Sequence, residues 1–399
     1  MGVAVGVDVA KEFHWAALVV AETGVVLDSR RVENTPTELA ELIAAIAAAQ
    51  AEHGPATVGL DLLGGIASLA QAMLLDAGLA CVHVPGLAVN RARQGTTGGE
   101  RKSDPKDAKV IADQVRTRDD LRPVTAASEI DAELRLLVAR RRELVADQIR
   151  RKGRMRDLLV SVHPGLERVI DLGNKTGLWL LTRYVTPSEI RRAGHARLCA
   201  HLAKAGRIRK TVVQDLAEAA LASAREQRTN VPGESTAAEL IREMALEALQ
   251  TRDKLTALDE RISEVLDRHP DAALIASLPG MGAALTAELL AEAGDLSRFP
   301  TADRLAAAAG LAPILRQSGK ARSTRRAAGG NKALKRVFYQ SAFCALKTDP
   351  ASKAYYARKR AEGKRHHQAL ICLARRRVDV LHAVLRTRQP YRADLPVAA

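Results

Sequence analysis

The first thirty residues run in short apolar stretches broken by turn residues. Residues 3–9 (VAVGVDV), 13–20 (FHWAALVV) and 25–32 (VVLDSRRV) predict three successive strands. Helical spacing of Leu, Ile and Ala follows from about Thr37 to Glu52. ATVGLDLL predicts a fourth strand ending at Gly64–Gly65, and IASLAQAMLLDAG a helix closed by Gly78. CVHVP predicts a short fifth strand, and SDPKDAKVIAD opens a further helix. Strands first, then strands alternating with helices, predict a mixed α/β domain over residues 1–127 with its sheet covered by helices.

From about Ser128 the period becomes helical, with Leu134, Leu137, Val138, Leu144, Val145, Leu158 and Leu159 spaced by arginines. Residues 162–232 are a helical mix in which GNKTG and NVPGE read as loops. A second long helix is predicted from near Ser235. Ile241, Ala248, Leu255 and Ile262 fall seven apart there, with Met244, Thr251, Leu258 and Val265 as their partners, the pattern of a coiled coil. Pairing of the two long helices within one chain or between protomers stays open. Residues 128–270 thus form a helical, coiled-coil middle, and residues 271–399 a mainly helical last domain. In that domain SLPGMGAALTAELLAEAGDL fits either one helix-hairpin-helix unit, whose turn amides meet a phosphate, or an ordinary packing element.

Charge changes the picture. A net charge of +15 points to a polyanion partner, nucleic acid or an acidic membrane surface, although an arginine-rich, alanine-rich composition also follows from a GC-rich genome. Clustering therefore carries more than the total. Aromatics at 3% argue against broad base-stacking platforms. Cys81, Cys199, Cys344 and Cys372 lie far apart without a CxxC pair, as in a reduced cytosolic protein. His366 and His367 read as part of a basic helix face. No leader pattern and no apolar stretch of membrane-spanning length is visible, so a cytoplasmic, nucleoid-associated protein is expected.

Asp104 and Asp107 stand three apart in a basic stretch. Asp104 before Pro105 suits a helix N-cap, with Asp107 the third helical residue at the positive end of the dipole. The other reading directs both carboxylates into a metal site. Asp8 and Asp61 shift the balance, because each sits near the end of a buried strand, where an unpaired carboxylate is costly. Four converging carboxylates repel unless cations intervene, and two Mg²⁺ (or Mn²⁺) ions roughly 4 Å apart would clamp a phosphodiester between them.

A second cluster, RQSGKARSTRRAAGGNKALKR, holds Arg316, Lys320, Arg322, Arg325, Arg326, Lys332, Lys335 and Arg336 with no acid. An amphipathic helix follows it, which favours an ordered, phosphate-contacting segment over a solvated loop. Ser318, beside Gly319, could attack a phosphodiester among these cations, with Ser323 a rival nucleophile. Arg140, Arg141, Arg142, Arg150, Arg151 and Lys152 form a further basic run that could bind RNA or DNA.

Taken together, GVDVAKEFHWAAL, VGLDLLGG, RKSDPKDAKVIAD and LPGMG…LLAEAGDLSRF…LAAAAGLAP…SGK…GNKALKR resemble the insertion-sequence-110 family, the DEDD-type transposases related to the Piv invertases. The resemblance covers both ends of the chain; the middle matches only as a helical spacer. It implies an RNase H-like (RuvC-type) first domain, whose acidic quartet falls on Asp8, Asp61, Asp104 and Asp107. It also implies a C-terminal transposase domain with a serine nucleophile at Ser318 that links covalently to DNA. Double-stranded donor and target DNA, a structured guide (bridge) RNA, and homodimers joining into tetramers are the implied partners. The chain departs from the family pattern at Asp61, where glutamate is usual. The shorter arm draws the carboxylate back by about one methylene while remaining a hard oxygen ligand.

Three other readings compete. A sugar-kinase-like ATPase would carry a phosphate-cradling hydroxyl after the first acid, which VDVAKEF lacks. A Holliday-junction resolvase-like metal-dependent nuclease would not need the separate Ser318 domain. A non-catalytic nucleic-acid binder would use its acids only as caps and turns, and would keep its activity in EDTA.

Overall fold

The structure, a computed structural model, describes residues 2–95, 103–126, 128–319, 321–325 and 327–392. Strands β1 (Val3–Asp8), β2 (Phe13–Val20) and β3 (Val26–Glu33) form an antiparallel meander. After α1 (Pro36–His53) the chain returns as β4 (Ala56–Leu60), parallel to β1 and beside it. Helix α2 (Ser68–Asp76) leads to β5 (Ala80–His83), parallel to β4. Helices α3 (Gly86–Gln94) and α4 (Asp104–Thr117) precede a short antiparallel edge strand, β6 (Arg122–Val124). The six-stranded order is β3-β2-β1-β4-β5-β6. These elements belong to the first of two compact units, Met1–Ala127; the second is Ser128–Ala399.

Alternation along β1 sorts its side chains. Val3, Val5 and Val7 enter a core with Leu39, Leu42 and Ile46 of α1 and Leu74 of α2. Gly6, on the other face, lies opposite Gly59 of β4 in the sheet register. A Cβ at Gly6 would meet the Ala108 carbonyl at 2.0 Å and the Ala112 amide at 2.4 Å; one at Gly59 would meet Val115 at 2.5 Å. Two paired glycines thus form the shallow groove in which α4 lies on the sheet. That packing fixes the helix whose first turn carries Asp104 and Asp107.

Several expectations need correction here. β4 stops at Leu60, so Asp61 stands just beyond the strand, and the chain turns away through Gly64 and Gly65 at φ 68° and 54°. Asp104 is not the N-cap. Ser103, extended at φ −152°, takes that place, which makes Asp104 the first and Asp107 the fourth helical residue. Asp107 is buried rather than exposed at the helix start. Helix α3 was not anticipated, because it buries only Val89. Strand β6 is three residues long and contains a proline, which an edge strand tolerates.

In the second unit α5 (Glu129–Val162) and α10 (Glu234–Asp267) are each 34 residues long. They pair within one chain and run antiparallel: Glu133 meets Arg268, Arg141 meets Asp259, and Gln148 meets the Ala248 carbonyl. The pair spans two separate cores. Leu134 and Leu137 join Ile262 and Val265 at one end, and Met155 and Leu159 join Ile241 and Ala248 at the other. Leu255, midway in the heptad series, is only half-buried. The second of these cores is closed by α6 (Pro164–Val169), α7 (Lys175–Leu181), α8 (Pro187–Leu202) and α9 (Lys210–Glu226). GNKTG is therefore a loop only as far as Asn174. The first core takes α11 (Ala272–Ala276), α12 (Ala283–Ala293), α13 (Ala302–Ala308), α14 (Lys332–Thr348), α15 (Pro350–Ala361) and α16 (His366–Thr387), with Phe338 of α14 fully buried in it, while the β7 (Ile314–Ser318)–β8 (Ala321–Arg325) hairpin between α13 and α14 adds no residue to it. Among the described residues no helix is long and apolar enough to cross a membrane.

Candidate active site

Parallel pairing decides where the first two acids go. Val7 of β1 lies opposite Leu60 of β4, so Asp8 and Asp61 leave the same sheet edge on neighbouring strands. The Asp61 carboxylate accepts the Val9 amide at 3.1 Å, reaching across the end of β1. Its backbone carbonyl meets Nε2 of His83, the last residue of β5, at 3.3 Å. Partial burial pushes the Asp61 carboxyl above the usual carboxylate range, with the Val9 amide and nearby His83 pulling the other way. His14 is fully buried near the β1–β2 turn, where its Nδ1 accepts the Ala10 amide at 3.2 Å. Burial holds its pKa below the ordinary imidazole value.

The acids of α4 diverge in role. Asp104 is half-buried at the first helical position. Asp107 is 4% exposed and takes both oxygens to one guanidinium nitrogen of Arg93 on α3, at 2.9 and 2.8 Å. Arg93 also donates to Asn90 at 2.7 Å. Sequence reasoning missed Arg93 because it lies in the unanticipated α3. Asp8, Asp61 and Asp104 are carboxylates, ligands of the hard kind that Mg²⁺ or Mn²⁺ takes, and a cation beside the raised Asp61 carboxyl would relieve it. Among the described residues no three acid, imidazole or thiol side chains converge closely enough to hold a metal as they stand.

The serine lies at the opposite extreme of exposure. Ser318 closes β7, every residue of which is exposed, and Gly319 turns the chain at φ 54°. Register pairs Ile314 with Arg325, Arg316 with Ser323 and Ser318 with Ala321. Cross-strand partners share a face and successive residues alternate, so Ser318, Arg316, Ser323 and Arg325 lie on one face of the hairpin. Arg322, paired with Gln317, lies on the other. Lys320 and Arg326 fall outside the described residues.

Several cations of the expected nucleic-acid surface already have partners. Arg141 binds Asp259 at 2.5 Å and Arg151 binds Glu247 at 2.9 Å, both across the long helix pair. Arg142 reaches Glu292 of α12 at 2.5 Å. The other oxygen of Glu292 accepts Asn331 at 2.7 Å, and Asn331 caps α14 through the Ala333 and Leu334 amides. Arg336 pairs with buried Glu288, and Lys335 donates to the Gly310 carbonyl. Among the described residues Arg140 and Arg150 pair at short range with Glu143 and Asp147 and stay more than half exposed. Such surface pairs break at little cost. Lys152 is half-buried and Lys332 exposed. Glu288 and Glu292 sit one turn apart in LTAELLAEAG, a spacing that could have signalled a shared face.

The glycine turn of the last domain follows the packing reading. Gly280, at φ 81°, abuts α14 so closely that a Cβ would stand 2.6 Å from the Ser341 carbonyl. Buried Arg377 donates to the Pro279 carbonyl beside it and to Ser341 Oγ at 2.7 Å, and burial draws its pKa down to about 10.

Residues 5–164 match a transposase family, the DEDD transposases of IS110, and residues 272–357 match the family described as "Transposase IS116/IS110/IS902 family". The chain is similar to the 42 kDa protein of insertion element IS900 from Mycobacterium paratuberculosis, at 41% identity over 99% of this chain and 98% of that relative. It is 40% identical to the 44.8 kDa protein of IS116 from Streptomyces clavuligerus, over 98% of this chain and 97% of that protein. The pilin gene-inverting protein of Moraxella bovis is 32% identical over 35% of this chain and 45% of its own length.

Proposed function

This chain belongs to the IS116/IS110/IS902 transposase family, and from that premise we propose that it cuts and rejoins DNA with metal-bound acids and a serine nucleophile. The observation that carries the reading is the placement of Asp8 and Asp61 side by side at the ends of adjacent parallel strands. The first unit is read as RNase H-like, in keeping with its antiparallel meander followed by parallel strands. Asp8, Asp61 and Asp104 would hold Mg²⁺ or Mn²⁺, and Asp107 would join them once Arg93 is released from it. A bound ion of this kind would supply Lewis-acid stabilisation of phosphodiester charge.

In the second unit Ser318 Oγ forms a bond to phosphorus while one deoxyribose oxygen leaves. The serine proton passes to solvent and the departing oxygen takes one up. Arg316 and Arg325, on the serine's face, stabilise the charge that builds on the phosphate oxygens. The resulting phosphoserine–DNA link is resolved when another strand's hydroxyl displaces the serine. A structured guide RNA from the element, assembly of dimers into tetramers, and a cytoplasmic, nucleoid-associated location belong to the same reading. Exposed Arg140, Arg150 and Lys332 offer the surface charge for nucleic acid.

The test is covalent trapping with the full chain, its element's flanking RNA, a nicked junction DNA and Mg²⁺. A protein–DNA adduct on a denaturing gel, lost in Ser318→Ala and in Asp8→Asn, is the expected result. Free cleaved ends with no adduct, still lost in Asp8→Asn, would leave the resolvase-like nuclease and overturn the serine's role.

A further inference from the structure

At the foot of the β7–β8 hairpin, against the α15–α16 turn, lies a cavity of about 950 Å³. That volume is at the upper end of small-ligand pockets, roughly 300–1,000 Å³. Leu311 and Pro313 wall one side, and Tyr339 of α14 with Ile371 and Cys372 of α16 line its half-buried interior. Exposed Lys332 and His367 and half-buried Lys364 add cationic or titratable side chains to the lining. Glu362 is the acid among the lining residues, and it is paired with Lys359 at 2.9 Å and Lys364 at 3.4 Å. Lys335 and Arg336 also line the cavity but are held by Gly310 and Glu288.

A mainly apolar, open cavity with Tyr339, Lys332 and Lys364 in its lining suits an apolar ring bearing an anionic group. Inorganic phosphate would leave the interior unmet, and an apolar molecule would leave the lysines unmet. A nucleotide satisfies both, and only an unpaired base can enter, because a paired one is stacked inside a duplex. Both strands of the serine hairpin depart from this cavity, β7 just after Pro313 and β8 ending just before Ala327. At about 3.3 Å per residue, the five-residue strands put Ser318 roughly 15 Å from the cavity mouth.

We propose that this cavity receives one unpaired nucleotide of the DNA strand addressed by Ser318, the base against Tyr339 and the phosphate at Lys332 and Lys364. The proposal rests on the nucleic-acid reading above and adds a base-binding site to it.

The experiment uses the full-length chain carrying Ser318→Ala, so that no chemistry intervenes. Alkylation of Cys372 by iodoacetamide is followed by mass spectrometry, with Cys199 as internal reference. Saturating oligothymidylate is expected to slow Cys372 several-fold and leave Cys199 unchanged, while a blunt duplex protects weakly. Ala327→Trp, which fills the cavity from a loop, should weaken oligothymidylate binding about tenfold with the unfolding temperature retained. Tyr339→Leu, which keeps the apolar packing, should also weaken it. Binding in a gel shift without Cys372 protection would overturn this proposal and leave the transposase reading intact. Protection by oligouridylate but not oligothymidylate would overturn the assignment to DNA. Absence of any nucleic-acid binding would overturn both.

Discussion

At the acid-bearing sheet edge of the first unit, the backbone amide of Val9, the imidazoles of His14 and His83 and the guanidinium of Arg93 fix the turns and side chains around Asp61 and Asp107. Along the β7–β8 hairpin the strand that carries Ser318 is exposed at every residue. The difference follows from charge. A buried or half-buried carboxylate is costly unless something pairs with it, so the fold surrounds Asp61 and Asp107 with donors. A serine hydroxyl carries no such penalty, and a two-stranded hairpin gains most of its order from whatever lies on it.

Substitutions should therefore separate the two regions sharply. Arg93→Ala, which strands Asp107 as a buried unpaired charge, should destabilise the first unit by about 3–5 kcal/mol in denaturant unfolding. Pairing it with Asp107→Leu should recover much of that loss. Gly6→Ala should lower stability by roughly 3 kcal/mol, since the new methyl would collide with the α4 backbone rather than with a movable side chain. Survival of either single variant at wild-type stability would mean that the acid edge is not held as described.

The pH dependence offers a finer test. The Asp61 carboxyl is raised in the fold, so its favourable contribution is full below the unfolded carboxylate value, near pH 4, and is lost as pH rises through the raised value. In EDTA, Asp61→Asn should therefore raise the unfolding temperature at pH 7, with the gain vanishing below about pH 4. On the hairpin the expected effects are on binding. Arg316→Ala should reduce the salt slope of DNA binding by about one and Arg322→Ala by less, if the serine's face is the one that meets phosphate. Ser318→Ala should shift stability by no more than about 0.5 kcal/mol while abolishing the covalent adduct.

Much of this arrangement was legible in the chain. Period-two runs located β1, β2 and β3 within a residue, and heptads located α10, because burial on a defined face leaves a repeating signature. Asp8 and Asp61 were singled out by their position at strand ends, and Asp104 and Asp107 by their spacing at a helix start. Their partners were not. Arg93 sits in a helix with one buried side chain, too little apolar surface to mark a period. Asp107 is buried because it faces Arg93 of α3, and that helix left no period to read. The arginines of α5 looked alike in sequence, yet Arg141, Arg142 and Arg151 differ from Arg140 and Arg150 only in facing α10 and α12 rather than water. Charge counts cannot see that.

Glu292 gives the long helix a mechanical meaning. One of its oxygens holds Arg142 near the middle of α5, and the other holds the residue that caps α14, six positions after the serine hairpin ends. Helix α5, about 50 Å long, runs unbroken from that clamp into a second hydrophobic core. A helix of that length, held beside the foot of the hairpin, has the geometry of a strut. A load placed on the distant core can bend the strut, break the Glu292 clamp or move the hairpin's base, and those are the routes by which strain at one end could be felt at the serine.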